Sequence, residues 1–179
     1  MGIWRRLEFS RMAGTTPEIP EGVSIFVANI NGEKHNCVSF LSPEEAFKVG
    51  LAEEAIIGTV DSTLALTPAH FKRNAAFRKV LHEVIARVGP TLAELTAEAR
   101  RQCQGCIYII DERVKDPDGK IEPEDILGAF RVIDGAIRAD TYQMNENHRI
   151  VSENGLFRLP AKIQTELLKK LSTYRPKPR

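Results

Sequence analysis

Cysteine is scarce in this chain, with 3 in 179 residues. So small and odd a number argues against a disulfide framework and suits a reducing compartment, so a cytoplasmic protein is expected. Charge of one sign is missing as well. The 25 basic residues against 24 acidic ones leave a net charge of +1, and no overall field draws the chain to nucleic acid or to an anionic membrane. No apolar run reaches the roughly 18 residues that a spanning helix requires. The start MGIWRRLEFSRM has no long apolar segment ahead of a small-residue cleavage site, so neither a membrane span nor export is expected. A lipidation motif beginning at Gly2 fails because Arg6 stands where Ser or Thr is needed.

Apolar residues make up 42% of the chain and charged ones 27%, enough to bury one sizeable core. A single globular domain over 23–172 is expected, behind a flexible leader and linker (1–22) and ahead of a basic tail (173–179). The leader mixes Trp4, Leu7 and Phe9 with Arg5, Arg6 and Arg11. Such a composition could touch a membrane surface or a partner groove, but a frayed leader is the expected reading. Met12 is an alternative start, since AGTTPEIPEG behind it reads as a linker.

From Val23 onward two β-rich runs flank Asn31-Gly32, a strong hairpin signal. A two-residue turn there pairs Ile25 with Val38 and Val23 with Phe40, stacking Val23, Ile25, Val27, Val38 and Phe40 on one face. Ser42, Pro43 and Glu45 then open a helix through a capping box. IIGTVDSTLAL reads equally as a short strand and as an extended connection. Phe77, Val80, Leu81, Val84, Ile85 and Val88 recur at helical spacing between Asn74 and Val88, and Gly89-Pro90 ends that helix. A second helix to about Gln102, with Leu92, Leu95, Ala99 and Cys103 on a thinner stripe, completes a helical hairpin. After it the period becomes two, and Asp134-Gly135 and Asn154-Gly155 mark turns of an antiparallel meander. Pro160 opens a closing helix with Ile163, Leu167 and Leu171 on one stripe. The fold class is α+β: an N-terminal β-hairpin, a helical hairpin, a mostly antiparallel β-meander and a C-terminal helix in one domain.

Cys103 and Cys106 form a Cys-x-x-Cys, but behind a helix and ahead of a strand. A redox dithiol of the thioredoxin kind sits instead at a helix N-terminus, where the amides favour the thiolate. The metal this pair would suggest is zinc, through His35, Cys37, Cys103 and Cys106, with His148 as a spare ligand. One pair falls short of the two that structural zinc sites usually show. No cofactor is therefore expected. Cys103 continues the apolar stripe and is expected in the core, with the pair as a turn between helix and strand. VKDPDGKIEPED matches an EF-hand loop at Asp116, Asp118, Gly119, Ile121 and Asp125. Val114 and Pro123 break that pattern, and Asp-Pro-Asp-Gly is a good turn without metal.

If the chain does chemistry, the residues for it lie in TYQMNENHRIVSENG. His148 has a general base's ordinary pKa range, Arg149 suits a phosphate or carboxylate, and Tyr142 or Glu153 suits the acid. A small hydrolase or endonuclease needs such a set. Period-two geometry sends His148 and Arg149 to opposite faces, however, and no nucleophile elbow or Gly-rich phosphate loop appears. Lys72, Arg73, Arg78, Lys79 and Arg87, with the basic tail, form the alternative of a weak nucleic-acid binder through the helix 72–87 and the C-terminus. Phe71 and Phe77 are the only aromatics nearby, Phe77 lies on the buried stripe, and nucleic acid is not expected. The favoured reading is a non-catalytic binding or regulatory protein whose partner is a protein or a small ligand.

Overall fold

The computed structural model describes residues 19–113 and 121–174. The expectations for residues 1–18 of the leader, for most of the acidic loop and for residues 175–179 of the tail lie outside them.

Asn31 and Gly32 take φ values of +54° and +89°, the left-handed pair that a two-residue hairpin turn demands. They join β1 (Ser24–Ile30) to β2 (Glu33–Ser39), with Ile25 opposite Val38 as the spacing predicts. Val23, Ile25 and Phe40 lean on the core and Val38 is fully buried within it. Val27 departs from the expected covered face and is 53% exposed. Residues 29–34 around the turn are all exposed, so this end of the hairpin stands clear of the core. The ambiguous IIGTV stretch supplies β3 (Gly58–Val60), and β4 (Phe71–Arg73) closes an antiparallel sheet in the order β1-β2-β3-β4. Between β2 and β3, α1 (Pro43–Lys48) starts on the predicted capping box of Ser42 and Glu45.

The helix read from Asn74 onward is α2 (Ala75–Val88), whose Asn74 side chain accepts from the Ala76 amide. Phe77, Leu81, Val84 and Ile85 are completely buried, each worth roughly 1.5–3 kcal/mol of transfer free energy. Cutting Leu81 to Ala would cost roughly 2–5 kcal/mol. Opposite lies α4 (Ala161–Thr173), with Ile163, Leu167 and Leu171 equally buried. The following α3 (Ala93–Gln102) packs on the second sheet rather than along α2. Gly89 permits the join, because a Cβ there would meet Ile109 and Phe130 side chains at 2.8 Å.

The second sheet holds β5 (Gly105–Ile110), β6 (Ile126–Ile133) and β7 (Ala136–Met144), all antiparallel in that order. Asp134-Gly135 forms the β6–β7 turn as read from sequence. The last hairpin is displaced by one residue: β8 (Val151–Ser152) and β9 (Gly155–Leu156) are joined through Glu153 and Asn154. Gly155, at φ +88°, is the left-handed residue that follows such a turn, rather than its second corner. Residues of both larger sheets, α2 and α4 share one continuous apolar core, and the class is α+β.

Candidate functional site

The apolar run of β5 ends at Asp111, and this carboxylate is the centre of a buried polar knot. Asp111 Oδ2 receives the Arg113 guanidinium at 2.8 Å and His148 Nε2 at 3.0 Å, with the Asp111 and His148 side chains fully buried and Arg113 at 1% exposure. Asp111 Oδ1 accepts the amides of Arg113 (3.0 Å) and Arg158 (2.8 Å). The guanidinium goes on to donate to the carbonyls of Arg149 and Gly155, both at 2.7 Å, and meets Asp125 at 3.5 Å. Burial pushes the Asp125 carboxyl up, against the pull of Arg113. Four chain segments are thus tied at one point: the end of β5, the turn before β6, the 145–150 connection and β9. A buried charge network of this kind is costly unless every member is paired.

The four residues singled out for chemistry are not brought together. His148 faces Asp111 and stacks edge-on against Phe157, with ring centres 5.9 Å apart. Tyr142 lies across the core side of the second sheet, its hydroxyl 2.7 Å from His82 Nδ1. Burial pushes that hydroxyl far up and holds the His82 imidazole down at about 4, assisted by Arg78 and His148. Arg149 points outward to Glu124 at 3.2 Å. Glu153 is exposed in the turn before β9. His148 does contribute to the wall of a surface cleft of about 450 Å³ with Arg73, Glu124, Glu146 and Arg149. Asp111 and Arg113 were missed by sequence reasoning, and Asp125 was read only as part of a metal-loop pattern. The only local sign of Asp111 was an acid closing the run CIYII, since its partners lie 37 positions away at His148 and 47 at Arg158.

The zinc set is not assembled either. Cys37 is fully buried on the outer face of the first sheet among Ala28, Ile56, Phe26 and Leu51, where burial pushes its thiol up. Cys103 and Cys106 are exposed at the second sheet, which corrects the expectation that Cys103 lies in the core. Cys103 ends α3 with φ +61° and ψ −43°, and the Gln104 amide bonds back to the Gln102 carbonyl across it. Leaving the helix through this tight turn swings the side chain off the apolar stripe. Among the described residues no three His, Cys, Asp or Glu side chains form a group able to hold a metal. Asp125, the last match to the EF-hand pattern, is committed to Arg113.

Two of the basic helix residues, and Lys170 on α4, are paired with acids. Arg78 pairs with Glu146 at 2.8 Å, Lys170 with Glu83 at 2.7 Å and Arg87 with Glu166 at 3.5 Å. Lys72 and Arg73 sit on β4 at the rim of a depression of about 560 Å³ on the outer face of the first sheet, floored by Ile30, Leu51 and Ile56.

β1 stands out among the sheet edges. Its seven residues SIFVANI carry no charge and no proline, and it pairs only with β2. Val27 (53%), Ile30 (37%) and the neighbouring Phe47 (48%) are large apolar side chains left exposed around it. Phe47 lies against Phe26 with ring centres 6.0 Å apart. Natural sheets normally blunt such an edge with charge, proline or a covering loop. The chain matches no protein-family model, no curated protein and no solved structure. Among the described residues no helix is long and apolar enough to cross a membrane.

Proposed function

We propose that the chain is a non-catalytic binding or regulatory protein that takes a polypeptide partner along the free edge of β1. One observation carries this reading: the long, uncharged edge strand with exposed apolar side chains on both its faces, a ready template for strand addition. Main-chain hydrogen bonds supply the affinity in that mode, and alternate side chains supply the selectivity. The polar residues of the meander support the same reading from the other direction. Tyr142 and Glu153 lie apart from His148 and Arg149, which share only the wall of one cleft, so a hydrolase acting through all four lacks a shared reaction centre. Pairing of Arg78, Arg87 and Lys170 with acids likewise leaves little of a continuous phosphate-binding face. A cytoplasmic setting belongs to the proposal, since the three cysteines are free thiols.

Selection of short displayed peptides on the whole protein, counter-selected on Val27→Lys, tests this reading. Enrichment of uncharged, β-rich sequences that bind the parent and not the variant supports it. Peptides that bind both alike, or none at all, contradict it. A second reading rests on the depression beside Lys72 and Arg73, whose apolar floor and cationic rim suit a small acidic ligand.

A further inference from the structure

We infer that the occupant of the β1 edge is a second copy of this chain, paired antiparallel about a two-fold axis at Val27. This rests on the reading of that edge as the binding surface and names its partner.

The argument starts from the phase of the ladder. A two-residue hairpin is closed by a hydrogen-bonded pair, here Ile30 with Glu33. Hydrogen-bonded and open pairs alternate along an antiparallel ladder, so Ser24, Phe26, Ala28 and Ile30 turn their N–H and C=O groups toward β2. The complementary phase holds on β2, where the Val38 carbonyl faces away from β1 and accepts the Ile57 amide at 2.8 Å. Ile25, Val27 and Asn29 therefore present their backbone groups to the open edge. Among the described residues, none bonds to these groups.

Val27 is the middle residue of Ser24–Ile30. A two-fold axis beside it places each residue opposite a copy of the strand with no overhang: Val27 against Val27, Ile25 against Asn29, Phe26 against Ala28 and Ser24 against Ile30. The edge-facing residues fall opposite edge-facing residues, giving three hydrogen-bonded pairs and about six main-chain bonds. Side chains agree with this register. The large Phe26 meets the small Ala28 on the outer face, twice by symmetry, and the exposed Val27 side chains cover one another on the other face. No charge is brought against its own image, and a net charge of +1 adds little repulsion between copies. Isologous contacts of this kind close on themselves and stop at a dimer.

The other edges are less suited. β4 is three residues long and includes Lys72 and Arg73. β7 has Arg138 and Asp140 and an irregular register. β5 is uncharged, but Leu92, Leu95 and Pro160 stand beside its outer half.

Sedimentation of the full chain over a wide concentration range, with Val27→Lys, Val27→Glu and an equimolar mixture of the two, tests the proposal. Val27 is exposed and outside the core, so all forms should fold, as circular dichroism verifies. The parent should dimerise, each single variant should weaken the dimer by more than about tenfold through like charges at the axis, and the mixture should reassociate through a Lys–Glu pair. Rescue in the mixture is specific to residue 27 lying opposite its own copy. A parent that stays monomeric overturns the second copy as occupant, while the peptide selection still decides whether the edge binds a different polypeptide. A dimer indifferent to both substitutions, or variants that do not reassociate when mixed, overturns the register at Val27.

Discussion

His148 Nε2 lies 3.0 Å from Asp111 Oδ2 with both side chains wholly removed from solvent. In the same knot Arg113 takes the same oxygen and reaches on to the carbonyls of Arg149 and Gly155. The pair holds the 145–158 connection against the end of β5. Its geometry turns a histidine of a polar loop into the interior, against the end of β5.

Replacing Asp111 by Ala strands Arg113 and His148 in the interior and also removes the acceptor of two backbone amides. A loss of about 3–5 kcal/mol is expected in urea unfolding. Asp111→Asn keeps a carbonyl acceptor and should lose less.

The burial of His82 gives stability a pH dependence. His82 is held down at about 4, below its ordinary 6.5, mainly by burial. The unfolded state therefore binds the extra proton first as pH falls. This contribution is complete above about 6.5 and is lost progressively toward about 4, amounting at most to about 3 kcal/mol. Urea unfolding at a series of pH values should show that slope in the parent, and His82→Leu should flatten it.

The three cysteines should divide by exposure. Cys103 and Cys106 should react promptly with a thiol reagent in the native protein, and Cys37 only on unfolding. Cys103→Gly should be neutral or raise stability by about 0.5–1 kcal/mol, because φ +61° strains a residue with a side chain. Mass spectrometry of labelled peptides and thermal unfolding check these two outcomes.

Local chemistry made much of this fold legible. Asn31-Gly32 set a hairpin, Ser42 with Glu45 a helix start, and the stripe from Phe77 to Val88 a buried helix, because each signal lies within one element. Cys103 was misplaced because helical spacing continues past the point where the backbone turns out of the helix. The Glu153-Asn154 turn was read one residue late because Gly155 has the same left-handed need in either register. His148 was singled out from sequence, but its partners were not. Asp111, Arg113 and Asp125 come from elsewhere in the chain, and no spacing records that they meet. The uncharged β1 edge was written in SIFVANI from the outset, yet only sheet order shows that this strand has an open side.

Residue-resolved hydrogen exchange along β1, at low and high protein concentration, is the most direct test that this edge is the binding surface. The amides of Phe26 and Ala28, bonded to β2, should be slow at both concentrations. Those of Ile25, Val27 and Asn29 should exchange fast when dilute and slow markedly when concentrated. If these three stay fast at every concentration and with any peptide selected for binding, or if protection grows on another strand instead, β1 is not the site.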